Sequence, residues 1–467
     1  MKAKESYIGL VDVDLLNGGT RHPNLVLLKL AGFFNDNNIK FHLIIDNDED
    51  ISQYTAIYMS KVFSFTPNPP FYERAKGTPD EKKFRIGGTG EYAIERNINT
   101  FRTARAQDMM QLENDKFLNE FANKRGGEKK TGIDMRRQMP FYDLYKEYVE
   151  KKISEGRQRS YFNDYLYYSI GFLTRGCIRH CPFCVNKLES SIHQYSELEW
   201  FLDQERDEKG KLIRPYIYLW DDNFLAAPKE VWKPMLRSLI DSKRPFQFRQ
   251  GLDERILAES EDGEEMASLL SKCKYHGDFI FAFDNWRDRD KVEKALKIWK
   301  KYNPKKGTKF YLFCGYKQMK GDKSAFYRDV FELFQRIKIL MMYGCVGYIM
   351  RHEDYHNSPL ENFYIQVARW CNQPQFYKKM SFWEFTYRNQ SYWEENVLGK
   401  DVSSKLITYQ EYEQLNNEGY YINIRKCKNL QTFDAILDMF PEKKQELLDM
   451  FNYKMSELTN HNLWNAE

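Results

Sequence analysis

The chain has 467 residues, with 71 Lys and Arg against 67 Asp and Glu and a formal net charge of +4. That length supports two or three domains with a substantial core, and so small a charge at this size excludes a global nucleic-acid-binding field. Eight cysteines scattered over so long a chain exclude a disulfide framework and point to reduced thiols and a metal site. At the N-terminus Met1-Lys2-Ala3-Lys4 looks like a signal n-region, but Asp12 and Asp14 interrupt any apolar h-region. The longest nearly unbroken apolar run, Ile339 to Met350, contains two glycines and is too short to span a bilayer. A cytoplasmic protein with no membrane contact is the expectation.

Tyr7 to Val13 is a buried-strand pattern, followed by a Gly-rich turn (Asn17-Gly18-Gly19-Thr20) and a helix predicted over Leu25 to Phe34. Phe41 to Ile45 and Ala56 to Ser60 are further strands, and this alternation predicts a parallel, doubly wound, Rossmann-like domain over residues 1–100. It ends near Gly87-Gly88-Thr89-Gly90, a run that suits a tight turn better than a phosphate cradle. Residues 101–165 break the rhythm as a charged and aromatic linker region. Within it, Lys124 to Arg137 carries six basic and two acidic residues, and a solvated linker is expected there rather than a nucleic-acid contact. Phe141, Tyr142, Leu144, Tyr145 and Tyr148 then predict an aromatic helix packed against the next domain. Aromatic residues make up 16 % of the chain, more than a core needs, so some are expected to line a pocket or interface.

An apolar run then leads into Gly171-Phe172-Leu173-Thr174-Arg175-Gly176-Cys177-Ile178-Arg179-His180-Cys181-Pro182-Phe183-Cys184. Random placement of eight cysteines would give this triple spacing roughly 0.002 times per chain, so the cluster has a cause. Three thiolates on one short loop are a soft ligand set for an iron–sulfur cluster or zinc. Zinc normally asks for a fourth Cys or His from a second close pair, and none follows. Three ligands leave one metal position open to chemistry.

After this loop the strand–helix rhythm persists. Strands are predicted over Ile217–Trp220, Phe246–Asp253, Phe279–Asn285, Phe310–Gly315 and Gly344–Arg351, separated by helices such as Val231–Ile240 and Lys291–Tyr302. With the strand before Cys177 that makes six, and periodicity alone allows a barrel or an open parallel sheet. Asp222, Asp253, Asp284 and Arg351 fall at strand ends, where parallel barrels place their chemistry; a helix N-cap or turn is the ordinary role of such a residue.

The Cys-x-x-x-Cys-x-x-Cys loop after a strand, with Phe183 before its last cysteine, resembles the radical S-adenosylmethionine (SAM) enzymes. The resemblance covers about residues 165 to 385. It implies a partial (β/α)6 barrel over 166–385, preceded by the Rossmann-like domain and followed by a mainly helical region, 386–467. It implies that Cys177, Cys181 and Cys184 hold a [4Fe-4S] cluster whose fourth iron chelates SAM. Reductive cleavage, fed by a one-electron donor such as a flavodoxin or ferredoxin, would then yield methionine and a 5′-deoxyadenosyl radical that acts on an unidentified substrate. Asp221 and Asp222 take the position of the relatives' SAM-amine contact, and Gln250 and Asp253 that of a third-strand contact. Asp284 takes that of a ribose or methionine contact, and Phe183 that of an adenine contact.

The domain order is similar to the branch with an N-terminal cobalamin-binding domain. No Asp-x-His-x-x-Gly segment is present, however, and His22 and His42 lie in other contexts. Bound cobalamin is therefore not expected, and the domain is expected to serve packing or substrate contact. The reaction subtype is not selected by the sequence. The alternative is a non-catalytic, zinc- or iron–sulfur-stabilised binding protein, for nucleic acid through Lys124 to Arg137. His352-Glu353-Asp354-Tyr355-His356 matches a zinc-protease pattern by letter but follows a strand and is closed by Ser358-Pro359, so a segment at the barrel mouth is expected. Cys273, Cys314, Cys345, Cys371 and Cys427 are expected as buried small hydrophobes. Trp383, Tyr387, Tyr392 and Trp393 cluster in sequence, and Thr432–Phe440 and Glu442–Leu458 read as amphipathic helices.

Overall fold

The computed structural model describes residues 7–18, 22–88, 90, 134–184, 186, 191–317, 321–388, 408–418 and 428–465. Most of the basic segment Lys124 to Arg137, together with Tyr392, Trp393 and Cys427, lies outside the described residues. The protein is α/β with parallel sheets and divides into two compact units, Met1–Arg249 and Gln250–Glu467.

In the first unit, β1 (Tyr7–Asp12), β2 (Phe41–Leu43), β3 (Tyr54–Ser60) and β4 (Phe84–Gly87) form a parallel sheet ordered β2-β1-β3-β4. β1 is central and almost wholly buried, which explains its unbroken apolar run. Helix α1 (Leu25–Asp36) starts at Asn24, whose side chain accepts from the Val26 and Leu27 amides, and it buries Leu27, Leu28, Leu30, Phe33 and Phe34. β4 is a strand that the sequence pattern does not announce, because four residues show no period. Gly88 has φ +108°, and a Cβ there would lie 2.1 Å from the Lys61 carbonyl oxygen. The Gly90 amide donates to that same oxygen at 3.0 Å, so the glycine run seats one turn of backbone on another.

Tyr142–Tyr145 forms a 3₁₀ turn that runs into α2 (Lys146–Ser154), and Tyr142, Leu144, Tyr145, Tyr148 and Val149 join the core of α1. Tyr145 donates to Asp12 Oδ2 at 2.8 Å, and burial still pushes that carboxyl up to about 7. Lys29 is buried with its ammonium on the Met135 and Arg136 carbonyls at 3.3 and 2.6 Å, and burial lowers it to about 8. The Tyr142 hydroxyl donates to Phe201 O at 2.6 Å and accepts from the Ile170 amide at 2.8 Å, which fastens this segment to the next sheet.

That sheet holds β5 (Tyr168–Gly171), β8 (Tyr216–Leu219) and β9 (Phe246–Phe248), parallel and ordered β5-β8-β9. Between β5 and β8 stands a short antiparallel hairpin, β6 (Thr174–Gly176) with β7 (Ile192–Gln194). Helix α3 (Lys229–Asp241) buries Trp232, Leu236 and Leu239.

The second unit opens with α4 (Arg255–Glu259) and α5 (Gly263–Ser271). Its parallel sheet β10 (Phe279–Ala282), β11 (Thr308–Cys314) and β12 (Val346–Arg351) is ordered β10-β11-β12. Helices α6 (Arg289–Tyr302), α7 (Lys323–Met342) and α8 (Glu361–Cys371) follow the three strands in turn. Trp299 of α6 meets Phe279 and Phe281 edge-on and donates to Thr308 Oγ1 at 3.0 Å. Helices α9 (Phe382–Arg388), α10 (Tyr409–Asn417), α11 (Lys428–Met439) and α12 (Lys444–Phe451) close an aromatic core in which Phe382 and Phe451 meet Phe334 and Phe363. The helix expected over Glu442–Leu458 is interrupted after Phe451, where Asn452 turns its side-chain amide back onto the Leu448 carbonyl at 2.8 Å. Among the described residues no helix is long and apolar enough to cross a membrane.

A candidate metal-binding loop and the strand end that holds it

The cysteine loop springs from β6. Gly176, with φ +102°, passes so close to β7 that a Cβ would lie 2.1 Å from the Ser191 carbonyl oxygen. Cys177, Cys181 and Cys184 follow, all half-buried, with a turn closed by the Cys184 amide on the Cys181 carbonyl at 2.9 Å. Cys177 Sγ accepts from the Arg179 amide at 3.3 Å and from Asn223 Nδ2 at 3.5 Å, and Cys184 Sγ accepts from the Asn186 amide at 3.4 Å. Phe183 sits half-buried in the same turn. Among the described residues no three His, Cys, Asp or Glu side chains are gathered at metal-ligand spacing, so the thiols share a loop without forming a closed set. The donor chemistry fits thiolate-bound iron: three soft ligands on one loop, two of them already accepting N–H groups.

Asp221, Asp222 and Asn223, directly after β8, hold this loop. Asp221 is 1 % exposed, and its Oδ1 accepts from the Thr174 amide at 2.5 Å, the Thr174 hydroxyl at 2.7 Å and the Leu173 amide at 3.2 Å. Burial pushes its carboxyl up to about 6 against the pull of those bonds. Asp222 accepts from the Gly176 amide at 3.0 Å and from Asn186 Nδ2 at 2.9 Å, with Arg175 Nε 3.4 Å away. Three consecutive residues therefore bind the loop before, within and after its cysteines.

The residue before them, Trp220, meets the His22 ring edge-on at 5.1 Å. His22 Nδ1 pairs with Asp164, and its Nε2 lies 3.1 Å from Arg249 NH2. Arg249 lies over the Tyr218 ring at 4.7 Å, and Tyr218 stacks on Tyr168 at 3.7 Å. Sequence reading misses this group. Its only signal is a lone histidine after a Gly-rich turn, far in the chain from its partners.

The other expected site residues belong to the second unit. Gln250 is exposed. Asp253 is paired with Arg255 at 2.7 Å, and Arg255 also reaches Asp288 at 2.9 Å. Asp284 accepts from the Phe313 amide at 3.2 Å, and burial pushes its carboxyl up to about 6, opposed by Arg336 and Arg255. Glu254, which sequence reading passes over, is 1 % exposed and accepts from the Ala282 amide at 3.2 Å; burial, reinforced by Asp253, holds it well above the usual carboxylate range. Arg351 is exposed and lies over the Tyr355 ring. His352 caps a 3₁₀ turn, Glu353–Asn357, while His356 pairs with Glu361 at 2.8 Å. Cys273, Cys314, Cys345 and Cys371 are buried, and burial pushes the Cys345 thiol up to about 11.

No protein-family model matches the chain, and no curated protein matches it.

Proposed function

We propose that the chain is a radical SAM enzyme. The observation that carries the reading is the Cys177–Cys181–Cys184 loop, with N–H donors on two of its sulfurs and bound to a strand end by Asp221, Asp222 and Asn223. In this reading the four-stranded sheet is the doubly wound N-terminal domain, and β5, β8 and β9 followed by β10, β11 and β12 are the six strands of a partial barrel.

Cys177, Cys181 and Cys184 would hold a [4Fe-4S] cluster, which when bound supplies an electron to SAM and so a 5′-deoxyadenosyl radical. The chain's own residues position and tune. Asp221 fixes the backbone leading into the loop, and Asp222 fixes Gly176 and Asn186 on either side of the cysteines. Asn223 and the Arg179 amide direct N–H dipoles at the Cys177 sulfur. With its carboxylate so engaged, Asp221 serves as a positioning residue and leaves SAM contact to others. A flavodoxin- or ferredoxin-type donor would reduce the site.

Anaerobic reconstitution tests the reading. The chain is expected to bind about four irons, to show thiolate-to-iron absorption, and to release 5′-deoxyadenosine from SAM on reduction. Zinc uptake without 5′-deoxyadenosine would favour a metal-stabilised binding protein instead. A Cys181→Ala chain that still cleaved SAM would sink the proposal.

A further inference from the structure

The Arg249 group reaches the candidate site through Trp220, the residue before Asp221, and among the described residues none of its contacts is with the cysteine loop. The Arg249 amide extends the β8–β9 pairing by bonding to Leu219 O at 2.8 Å, which puts its side chain on the same face as Tyr218 and Trp220. Its guanidinium lies over the Tyr218 ring at 4.7 Å, with one N–H directed at Gln247 Oε1 at 3.2 Å and another at His22 Nε2 at 3.1 Å. Asp164 lies on the Nδ1 side of the His22 ring, and the Arg249 guanidinium, which can only donate, faces Nε2.

The side-chain partners of Arg249 are an amide oxygen and an imidazole nitrogen, and among the described residues no carboxylate pairs with it. A guanidinium carries five N–H groups in a planar fork. Among the described residues two have protein acceptors, and the side chain is only half-buried. A cation oriented by a ring beneath it and an imidazole beside it, with donors to spare, is preorganised for bidentate recognition of an oxyanion. Its pieces come from three places in the first unit: His22 from the loop before α1, Asp164 from the short helix Asn163–Tyr167 before β5, and Arg249 from the end of β9.

We propose that Arg249 binds an oxyanion of the molecule this site acts on, so that the substrate carries a carboxylate or phosphate, and that His22 positions the guanidinium. The assignment of that molecule as substrate rests on the enzyme reading above. The N-terminal domain thereby acquires a purpose beyond packing, since its loop before α1 contributes His22 to the site.

The test is a phosphorus NMR titration of the full-length chain with inorganic phosphate, beside a calorimetric titration with SAM. Circular dichroism checks the fold of each variant. Wild type should bind phosphate saturably. R249Q should weaken that binding about tenfold or more, and R249K less, because lysine keeps the charge but loses the fork. H22F should weaken it severalfold, and the R249Q/H22F double variant should be no worse than R249Q alone, as expected if His22 acts through Arg249. SAM affinity should stay within about twofold in R249Q, against the tenfold loss a broken charge pair would give. Wild-type phosphate affinity in R249Q, or in both R249K and H22F, would overturn the proposal. Loss of SAM binding along with phosphate would overturn it too, because the oxyanion would then be the carboxylate of SAM. The phosphate arm needs no iron, so failure of the enzyme reading and failure of the Arg249 assignment are separately visible.

Discussion

Replacing Asp221 by asparagine should make the stability difference from wild type depend on pH in a defined direction. In the folded chain the carboxyl is pushed from 3.8 up to about 6, with burial the leading cause and its bonds from Thr174 and Leu173 opposing. Between those two pH values the folded state holds a proton that the unfolded state has released. Stability contributed by protonated Asp221 is therefore complete below about pH 4 and is lost as the pH rises through about 6. Each unit is worth about 1.4 kcal/mol, so the full swing is about 3 kcal/mol. The asparagine that D221N introduces does not titrate, and its side-chain oxygen can still accept from Thr174. The D221N chain should therefore gain on wild type by about 1.4 kcal/mol per pH unit over that window, with a constant difference above pH 7. Urea unfolding at several pH values, read by pulsed deuterium labelling of the peptide containing Leu173 and Thr174 at one fixed labelling pH, measures the gap. A gap that is independent of pH, or that moves in wild type's favour as the pH rises, would refute the reasoning.

Three further outcomes are expected. G176A places a Cβ 2.1 Å from the Ser191 carbonyl oxygen at a φ of +102°, and should cost more than about 2 kcal/mol in thermal unfolding and reduce iron uptake on reconstitution. K29M should remove a stability increase that wild type shows as the pH rises from about 8 toward the ordinary lysine value of 10.5, because the buried ammonium sheds its proton earlier in the folded chain; melting curves at pH 7 and pH 9 check it. N223A should leave iron content intact and lower the midpoint of a redox titration followed by electron paramagnetic resonance, since it deletes the side-chain N–H directed at Cys177. An unchanged midpoint would show that the contact does not tune the site.

The long buried strands are legible because both faces of β1, β3 and β8 are packed, and the apolar run says so without any need for periodicity. β4 is not: Phe84-Arg85-Ile86-Gly87 is four residues with an arginine inside, and only pairing with β3 makes it a strand. The β6–β7 hairpin escapes for a related reason. Three-residue strands carry no pattern, and its register follows from the backbone of Gly176. At the site, the cysteine spacing is legible from composition alone. The role of Asp221 is not, since a carboxylate after a strand reads alike whether it faces a ligand or a neighbouring loop. Only its burial and the Thr174 donors tell the two apart. The group of His22, Asp164 and Arg249 lies beyond reach because its members are joined by topology across more than two hundred residues.

The staple at the end of β8 also sets an order of assembly. Asp221 reaches back 47 and 48 residues to Thr174 and Leu173, and Asn223 reaches back 46 to Cys177. At about 5–20 residues per second, several seconds of synthesis separate the cysteines from the residues that shape their loop. The loop therefore takes its final form only once the end of β8 has been made, so its shape belongs to the later chain as much as to its own sequence.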